Sequence, residues 1–405
     1  MDLDEARACF PMLKTTMHGH PLVYFDTAAT AQKPDVVIDA ITSYYRQHCG
    51  TVHRAIYELA VYATHHYHST RLKAQAFINA ASHEEIIFTR GTTESINLVA
   101  ASFSKAFVHP GDEIIISEME HHANIVPWQI ACADRGAILH IIPFDDTGGL
   151  CLDTYRQMLN PKVKMVAITH ASNVLGTVNP IKEICAMAHA FGAKVLVDGA
   201  QAIPHMHVDV KDLDADFYAF SGHKLYGPTG VGILYGKKEL LDAMPPYQSG
   251  GDMIERVTFE KTTYNTLPLK FEAGTPMIAE VLGLGAAIDF VQAIGIDRIH
   301  AREKLLIDYL TPRLQEIPDI RLFGTAPNKG AIQAFEIKGI HPLDLGSFLD
   351  LQGIAIRTGS MCAHPIMKHY GIDAAARISL SFYNTTSEID YCIDALKQAV
   401  AFLKI

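Results

Sequence analysis

Between residues 85 and 235, short apolar runs alternate with stretches whose apolar positions recur at helical spacing. "EIIFTR" (85–90), "DEIIIS" (112–117), "ILHIIPF" (138–144), "KMVAITH" (164–170), "KVLVDGA" (194–200) and "GVGILYG" (230–236) read as strands. They are almost continuously hydrophobic, as strands covered on both faces must be. Between them, "ESINLVAASFSKAF" (94–107) and "IKEICAMAHAFGA" (181–193) read as helices. Strand–helix alternation predicts an α/β domain with a mostly parallel sheet, whose ligands sit at the carboxyl ends of the strands. After about residue 280 the pattern loosens. A long apolar helix, "IAEVLGLGAAIDFVQAI", precedes "GAIQAFEIKG", "LGSFLDLQGIAIRTG" and "RISLSFYNT". This predicts a smaller α+β domain over 281–405, a larger one over 21–280, and residues 1–20 packing on the smaller, since chain ends often lie close together.

Size and charge narrow the classes. The chain has 405 residues, 49% of them hydrophobic, which is enough for a large core and two domains. Its formal net charge of −10 argues against a nucleic-acid groove or a polybasic membrane face. The acidic start "MDLDEARACFPML" lacks the apolar core of a secretory signal, and no run of about 18 uncharged apolar residues predicts a membrane span. Seven cysteines (9, 49, 132, 151, 185, 362, 392) without a C-x-x-C pair predict a reduced, cytoplasmic chain with no disulfide framework.

Four segments carry candidate chemistry. "FTRGTTESINL" (88–98) is strand, Gly-Thr-Thr, helix. Its helix N-terminus suits a phosphate, with Thr92 and Thr93 as hydroxyl donors; ordinary threonine capping is the plainer alternative. "VLVDGAQAIPH" (195–205) ends a buried strand with Asp198. A carboxylate there needs a cationic partner, such as a protonated pyridine nitrogen, unless it only caps a turn. "FSGHKLYGPTG" (220–230) sets Ser221 and His223 beside Lys224. A lysine normally snorkels outward, but these apolar, glycine-rich flanks suit an amine that condenses with a carbonyl. "EMEHHANIVPW" (118–128) offers His121, which could stack on an aromatic ring or move protons. The paired histidines there and in "THHYHST" (64–70) lack metal-ligand spacing, so no metal is expected. Together these supply a phosphate cradle, a ring-nitrogen partner, a stacking group and an imine-forming lysine. That set fits pyridoxal 5′-phosphate.

The same residues lie in longer motifs: "DTAATAQKP", "VHRAIYELA", "RGTTESINLVA", "EMEHHANIVPW", "THASNVLGT", "DGAQA", "FSGHKLYGPTG", "FEAGTP" and "RTGSMCAHP". In content and order, over nearly the whole chain, they resemble the SufS-type (group II) cysteine desulfurases, of the class V aminotransferase group within fold type I pyridoxal phosphate enzymes. The resemblance implies a seven-stranded sheet in the large domain and a homodimer. Lys224 would hold the cofactor covalently, Asp198 would pair with its ring nitrogen, Gln201 with its ring oxygen, and His121 would stack on it. Thr92, Thr93, Ser221 and His223 would bind the phosphate, and Thr275 would reach the phosphate of a neighbouring subunit. Asn173 and Arg377 would hold the substrate carboxylate, with His53 and Arg357 lining the pocket. Cys362, by itself most simply a packing residue, becomes the nucleophile that receives sulfur from L-cysteine. The product would be L-alanine, and the sulfur would pass to a SufE- or SufU-like acceptor for iron–sulfur cluster assembly. Selenocysteine lyase or cysteine-sulfinate desulfinase activity, with L-selenocysteine among the substrates, is the near alternative. A kynureninase-like reaction or a non-catalytic cofactor-binding protein is more distant. One departure concerns the thiol: Gly359-Ser360-Met361-Cys362 stands where group II enzymes commonly carry Gly-His-His-Cys.

Overall fold

In the computed structural model, residues 1–404 are described. Seven strands form one sheet: β1 (Ile86–Thr89), β2 (Glu113–Ser117), β3 (Ile138–Ile142), β4 (Val163–Thr169), β5 (Lys194–Asp198), β6 (Phe217–Ser221) and β7 (Gly232–Gly236). Their spatial order is β1-β7-β6-β5-β4-β2-β3. β7 is antiparallel to β1 and β6, and the remaining adjoining pairs are parallel. The expected α/β class with a mostly parallel sheet is borne out.

The strands are apolar on both faces because both faces are covered. Alternate side chains enter opposite cores, as the two-residue repeat of a strand requires. Ile86, Phe88, Val195, Val197, Tyr218 and Phe220 join one cluster, while Ile87, Leu196, Phe217 and Ala219 join the other. Helix α1 (Asp35–Ser43) and helix α2 (Glu58–Phe77) lie on the first side; helix α3 (Thr92–Phe107) covers the second with Ile96, Val99 and Phe103. Each large side chain so buried contributes about 1.5–3 kcal/mol. β3 departs from its sequence reading: it is an edge strand, and Ile138 and Ile141 remain exposed.

Two helices follow, α4 (Ile278–Ile294) and α5 (Ile296–Gln315). α4 spans the expected division after residue 280 and packs on α1 and α2, so it belongs with the large sheet. Two small residues set that packing. A Cβ at Gly285 would lie 2.4 Å from Thr70 Oγ1, and one at Gly283 would lie 3.0 Å from Ile41. Beyond α4 a second sheet forms from β8 (Ile320–Phe323), β9 (Ile332–Ile337), β10 (Arg357–Gly359) and β11 (Ala375–Ser379). It is antiparallel, in the order β8-β9-β11-β10. Its core takes Leu306 and Leu310 from α5, together with Val23 and Phe25. The segment Val23–Tyr24 pairs in parallel with Ile354–Ala355. Phe10, by contrast, lies in the main core, edge-on to Tyr226, Phe290 and Phe382, so the N-terminal segment bridges the two bodies. No single helix among the described residues is long and apolar enough to cross a membrane.

Candidate active site

Parallel strands align their carboxyl ends along one edge of the sheet, and the singled-out residues lie there. β1 leads through Gly91 into α3, β2 into His121, β4 into Asn173, β5 ends at Asp198, and β6 runs into Lys224. These ends open on a cavity of about 220 Å³ lined by Thr92, Thr93, His121, Asn173, Asp198, Gln201, Ser221, His223 and Lys224, with Arg357, Cys362 and Arg377 from the smaller body. Twelve of the fourteen expected site residues therefore converge.

At one end, the amide of Thr92 donates to Ser221 Oγ at 2.8 Å, and the two hydroxyls lie 2.7 Å apart. α3 begins at Thr92 without a side-chain cap, so its N-terminal amides and positive dipole end remain for an anion. Gly91 adopts φ +153°, and a Cβ there would come within 3.3 Å of Ser221 Oγ. A side chain at this position would crowd the cradle.

In the middle, Asp198 is buried, and its Oδ1 accepts from the Ala200 amide at 3.0 Å. Burial raises its pKa, against the pull of that amide and of Lys224. Burial draws Lys224 down to about 8, with Asp198 opposing. The lysine is thus an amine that loses its proton close to neutrality. His121 Nδ1 accepts from the Ala123 amide at 3.0 Å, which leaves the proton of the neutral ring on Nε2. Burial, Lys224, His122 and Arg377 hold its pKa to about 4, so the ring is uncharged near neutral pH.

At the far end, Arg377 is buried and donates through Nη2 to Asp26 Oδ1 at 2.8 Å and through Nη1 to the Asn173 carbonyl at 2.7 Å. Its Nε has no partner. Cys362 is exposed at the rim on a loop in which Met361 and Cys362 are both left-handed, with φ 53° and 57°. Such backbone persists only where its surroundings impose it. Here the Asn173 side-chain amide donates to the Met361 carbonyl at 2.9 Å, and the His122 amide donates to the Cys362 carbonyl at 2.8 Å. The Met361 side chain is buried among Met119, Val174 and Leu175. His122 also stacks on His364 at 4.6 Å, and its Nε2 accepts from the His364 amide at 3.1 Å. An imidazole pair from outside the tetrapeptide therefore attends the loop that lacks the two preceding histidines.

Two expected residues lie elsewhere. His53 is exposed at φ 75° and meets Tyr67 edge-on at 5.7 Å. Thr275 is exposed in a second cavity that Tyr67 also lines. Within one chain neither lines Lys224's cavity. Sequence reasoning missed Asp26, the anion that holds Arg377, and Glu120. Glu120 is fully buried, accepts from Ser117 Oγ, the Thr169 amide and the Asn124 side chain, and is pushed up to about 8 by burial. Both stand inside motifs already noted, but only tertiary contacts reveal their partners.

The residues fit pyridoxal phosphate. Gln201 Oε1 is buried without a partner while its Nε2 donates to the Ala28 carbonyl at 2.7 Å. A buried acid, an amine and an uncapped helix start share the same cavity.

Comparison with known proteins agrees. Residues 23–392 match the family model described as "Aminotransferase class-V". The chain is 51% identical to a cysteine desulfurase of Dickeya dadantii, over 97% of this chain and 96% of that protein. It is 50% identical to one of Synechococcus elongatus, over 98% of this chain but only 63% of that longer protein. The crystal structure of the cysteine desulfurase CsdA from Escherichia coli, in an S-sulfonic acid form, superposes with a TM-score of 0.93 at 38% identity, covering 100% of this chain and 99% of that one. An apo cysteine desulfurase from Thermococcus onnurineus superposes with a TM-score of 0.93 at 36% identity, over 98% of each chain. With its sheet, its cavity and nearly all of its length accounted for in this way, the chain belongs to the aminotransferase class-V family.

Proposed function

We propose that the chain is a pyridoxal phosphate-dependent cysteine desulfurase of the SufS type, converting L-cysteine to L-alanine and keeping the sulfur as a persulfide on Cys362. The observation that carries this reading is that Lys224, on the large sheet, and Cys362, on the smaller body, face one cavity. Arg377, with its unpartnered Nε, suits the substrate carboxylate. Thr92, Thr93, Ser221 and His223 would hold the phosphate, Asp198 the ring nitrogen and Gln201 the ring oxygen. Bound there, the cofactor supplies an aldehyde for amines and a sink for the electrons of a broken bond at Cα. Lys224, with its pKa near 8, is suited to take the Cα proton. His121, with its proton on Nε2 and its ring lining the cavity, would manage the proton of the substrate thiol. The Cys362 thiolate attacks the substrate sulfur, an S–S bond forms and the C–S bond breaks. Its electron pair stays with carbon, which takes up a proton to become the alanine methyl group.

His53 and Thr275 fall together beside Tyr67 on another face, which supports a homodimer in which they serve a second copy's site. The sulfur then passes to a SufE- or SufU-like acceptor for iron–sulfur cluster assembly. Seven free cysteines suit work in a reducing cytoplasm. The test is mass spectrometry after exposure to L-cysteine: one added sulfur is expected on the peptide containing Cys362. Alanine formation with no sulfur on that peptide, or undiminished sulfide release by Cys362→Ala, refutes the assignment.

A further inference from the structure

A half-buried lysine behind the cavity has no role so far. Lys33 Nζ donates to the carbonyls of Ala31 at 2.5 Å and His223 at 2.8 Å, and to Thr30 Oγ1 at 3.3 Å. All three acceptors are neutral, and no carboxylate among the described residues pairs with it. A cation taken out of water without a counter-ion is costly. Burial alone draws its pKa down, to about 8. A half-buried cation whose partners are all neutral is a natural second layer for an anion that binds next door.

The hydrogen bonds show how it would act. Thr30 Oγ1 also lies 3.2 Å from His223 Nδ1. Because Lys33 can only donate, it occupies a lone pair of that hydroxyl and turns the hydroxyl proton toward His223, whose Nδ1 at 3.2 Å and carbonyl at 3.3 Å are its two acceptors. His223 is neutral near pH 7, since burial, Lys224 and Lys33 hold its pKa to about 4. A neutral ring carries one proton, and when Nδ1 accepts from Thr30 that proton sits on Nε2. The Lys33–His223 carbonyl bond, together with the Ala31 amide on the same oxygen at 3.1 Å, also fixes the turn that enters Lys224.

Resting on the reading above, we infer that Lys33 is a positioning residue for the cofactor's phosphate monoester: through Thr30 it fixes His223 as an Nε2–H donor, and it places a positive charge behind the cradle of Thr92 and Ser221. The class of ligand it selects is a dianionic phosphate over its dephosphorylated alcohol.

Titrating cofactor-free protein with pyridoxal 5′-phosphate and with pyridoxal, followed by absorbance, tests this. Lys33→Met is expected to weaken binding of the phosphate ester about tenfold and to leave pyridoxal binding unchanged. Thr30→Val, which keeps the charge and removes the hydroxyl, is expected to move the same ratio in the same direction by less. Lys33→Gln carries the comparison if the methionine variant does not fold. Equal weakening of both ligands would show that Lys33 only braces the loop and would overturn the inference. So would unaltered affinity for the phosphate ester. Wild-type protein that binds neither compound overturns the cofactor reading as well, so the two failures are distinct.

Discussion

Replacing Lys224 by methionine should make the cofactor-free protein more stable, even though it removes the residue proposed to do the chemistry. The side chain is enclosed except where it faces the cavity, and its pKa falls from 10.5 to about 8 on folding. Spread over the two protonation states, that fall corresponds to about 3 kcal/mol against the charged form below pH 8. The opening to the cavity screens part of this. Removing the ammonium also takes a favourable neighbour from Asp198, which is itself raised by burial. The net gain expected for Lys224→Met at pH 7 is therefore about 1–3 kcal/mol. The sign of the pH dependence follows from the depressed value. Between about pH 8 and 10.5 the unfolded chain holds a proton that the folded chain has released, so wild-type stability rises across that window. Methionine does not titrate, so the gap between the proteins should close over the same range. Other groups, Glu120 among them, titrate in both proteins and largely cancel in the difference. Urea unfolding of both proteins from pH 7 to 10.5, with cofactor removed, measures the gap. A variant less stable than wild type at pH 7, or a gap that persists unchanged to pH 10.5, would refute the reasoning.

Three further outcomes are expected. Arg71→Met should destabilise the fold by about 3–5 kcal/mol in urea, because it leaves the buried Glu272 carboxylate without the guanidinium that now meets it at 2.7 and 2.8 Å; a loss under about 1 kcal/mol would count against a buried-charge origin. Arg377→Met should lower kcat/KM for L-cysteine about 100-fold, the worth of two charge-assisted hydrogen bonds to a carboxylate, while Arg357→Met, at an exposed site 3.8 Å from Asp26, should do far less; equal losses would dissolve the distinction. His189 is raised above 6.5 chiefly by its bond to Asp216, so its ion pair stabilises fully below pH 6.5 and is lost as pH rises through the folded value. His189→Gln should accordingly cost more stability at pH 6 than at pH 8.5, which thermal unfolding at the two pH values reads directly.

Much of this fold is legible because strand and helix periodicities differ. The sheet-forming runs are apolar at nearly every position, and Asp198 and Ser221 mark their ends by interrupting that pattern. What could not be read was how the bodies divide. α4 is apolar around most of its circumference, so its sequence does not say which neighbour it serves; Gly283 and Gly285 decide the matter by admitting Ile41 and Thr70. β3 read as a covered strand because nothing in "ILHIIPF" marks it as an edge. In the site, side chains with intrinsic chemistry were visible and those acting through a partner were not. Asp26 lies 351 residues from the arginine it holds, and Lys33 is an ordinary lysine until its lack of a carboxylate is seen. His53 and Thr275 were legible as types, but the face they occupy belongs to tertiary packing.

Asn173 ties the left-handed surface loop that carries Cys362 to the end of the large sheet. Its main-chain carbonyl accepts from Arg377, and its side-chain amide holds the Met361 carbonyl next to Cys362. One residue at the end of β4 therefore links the arginine suited to a substrate carboxylate to the thiol proposed as nucleophile. Arg377 is anchored by Asp26 as well, and the left-handed pair Met361–Cys362 has both of its carbonyls bonded, the second by the His122 amide. The donors come from loops after β2 and β4, neighbours in the sheet, so the position of the thiol follows from the strand order. The loop is thus held by contacts from outside the tetrapeptide. The tetrapeptide Gly359-Ser360-Met361-Cys362 buries Met361 as an apolar anchor, and the imidazoles reach the loop from His122 and from His364 beyond it.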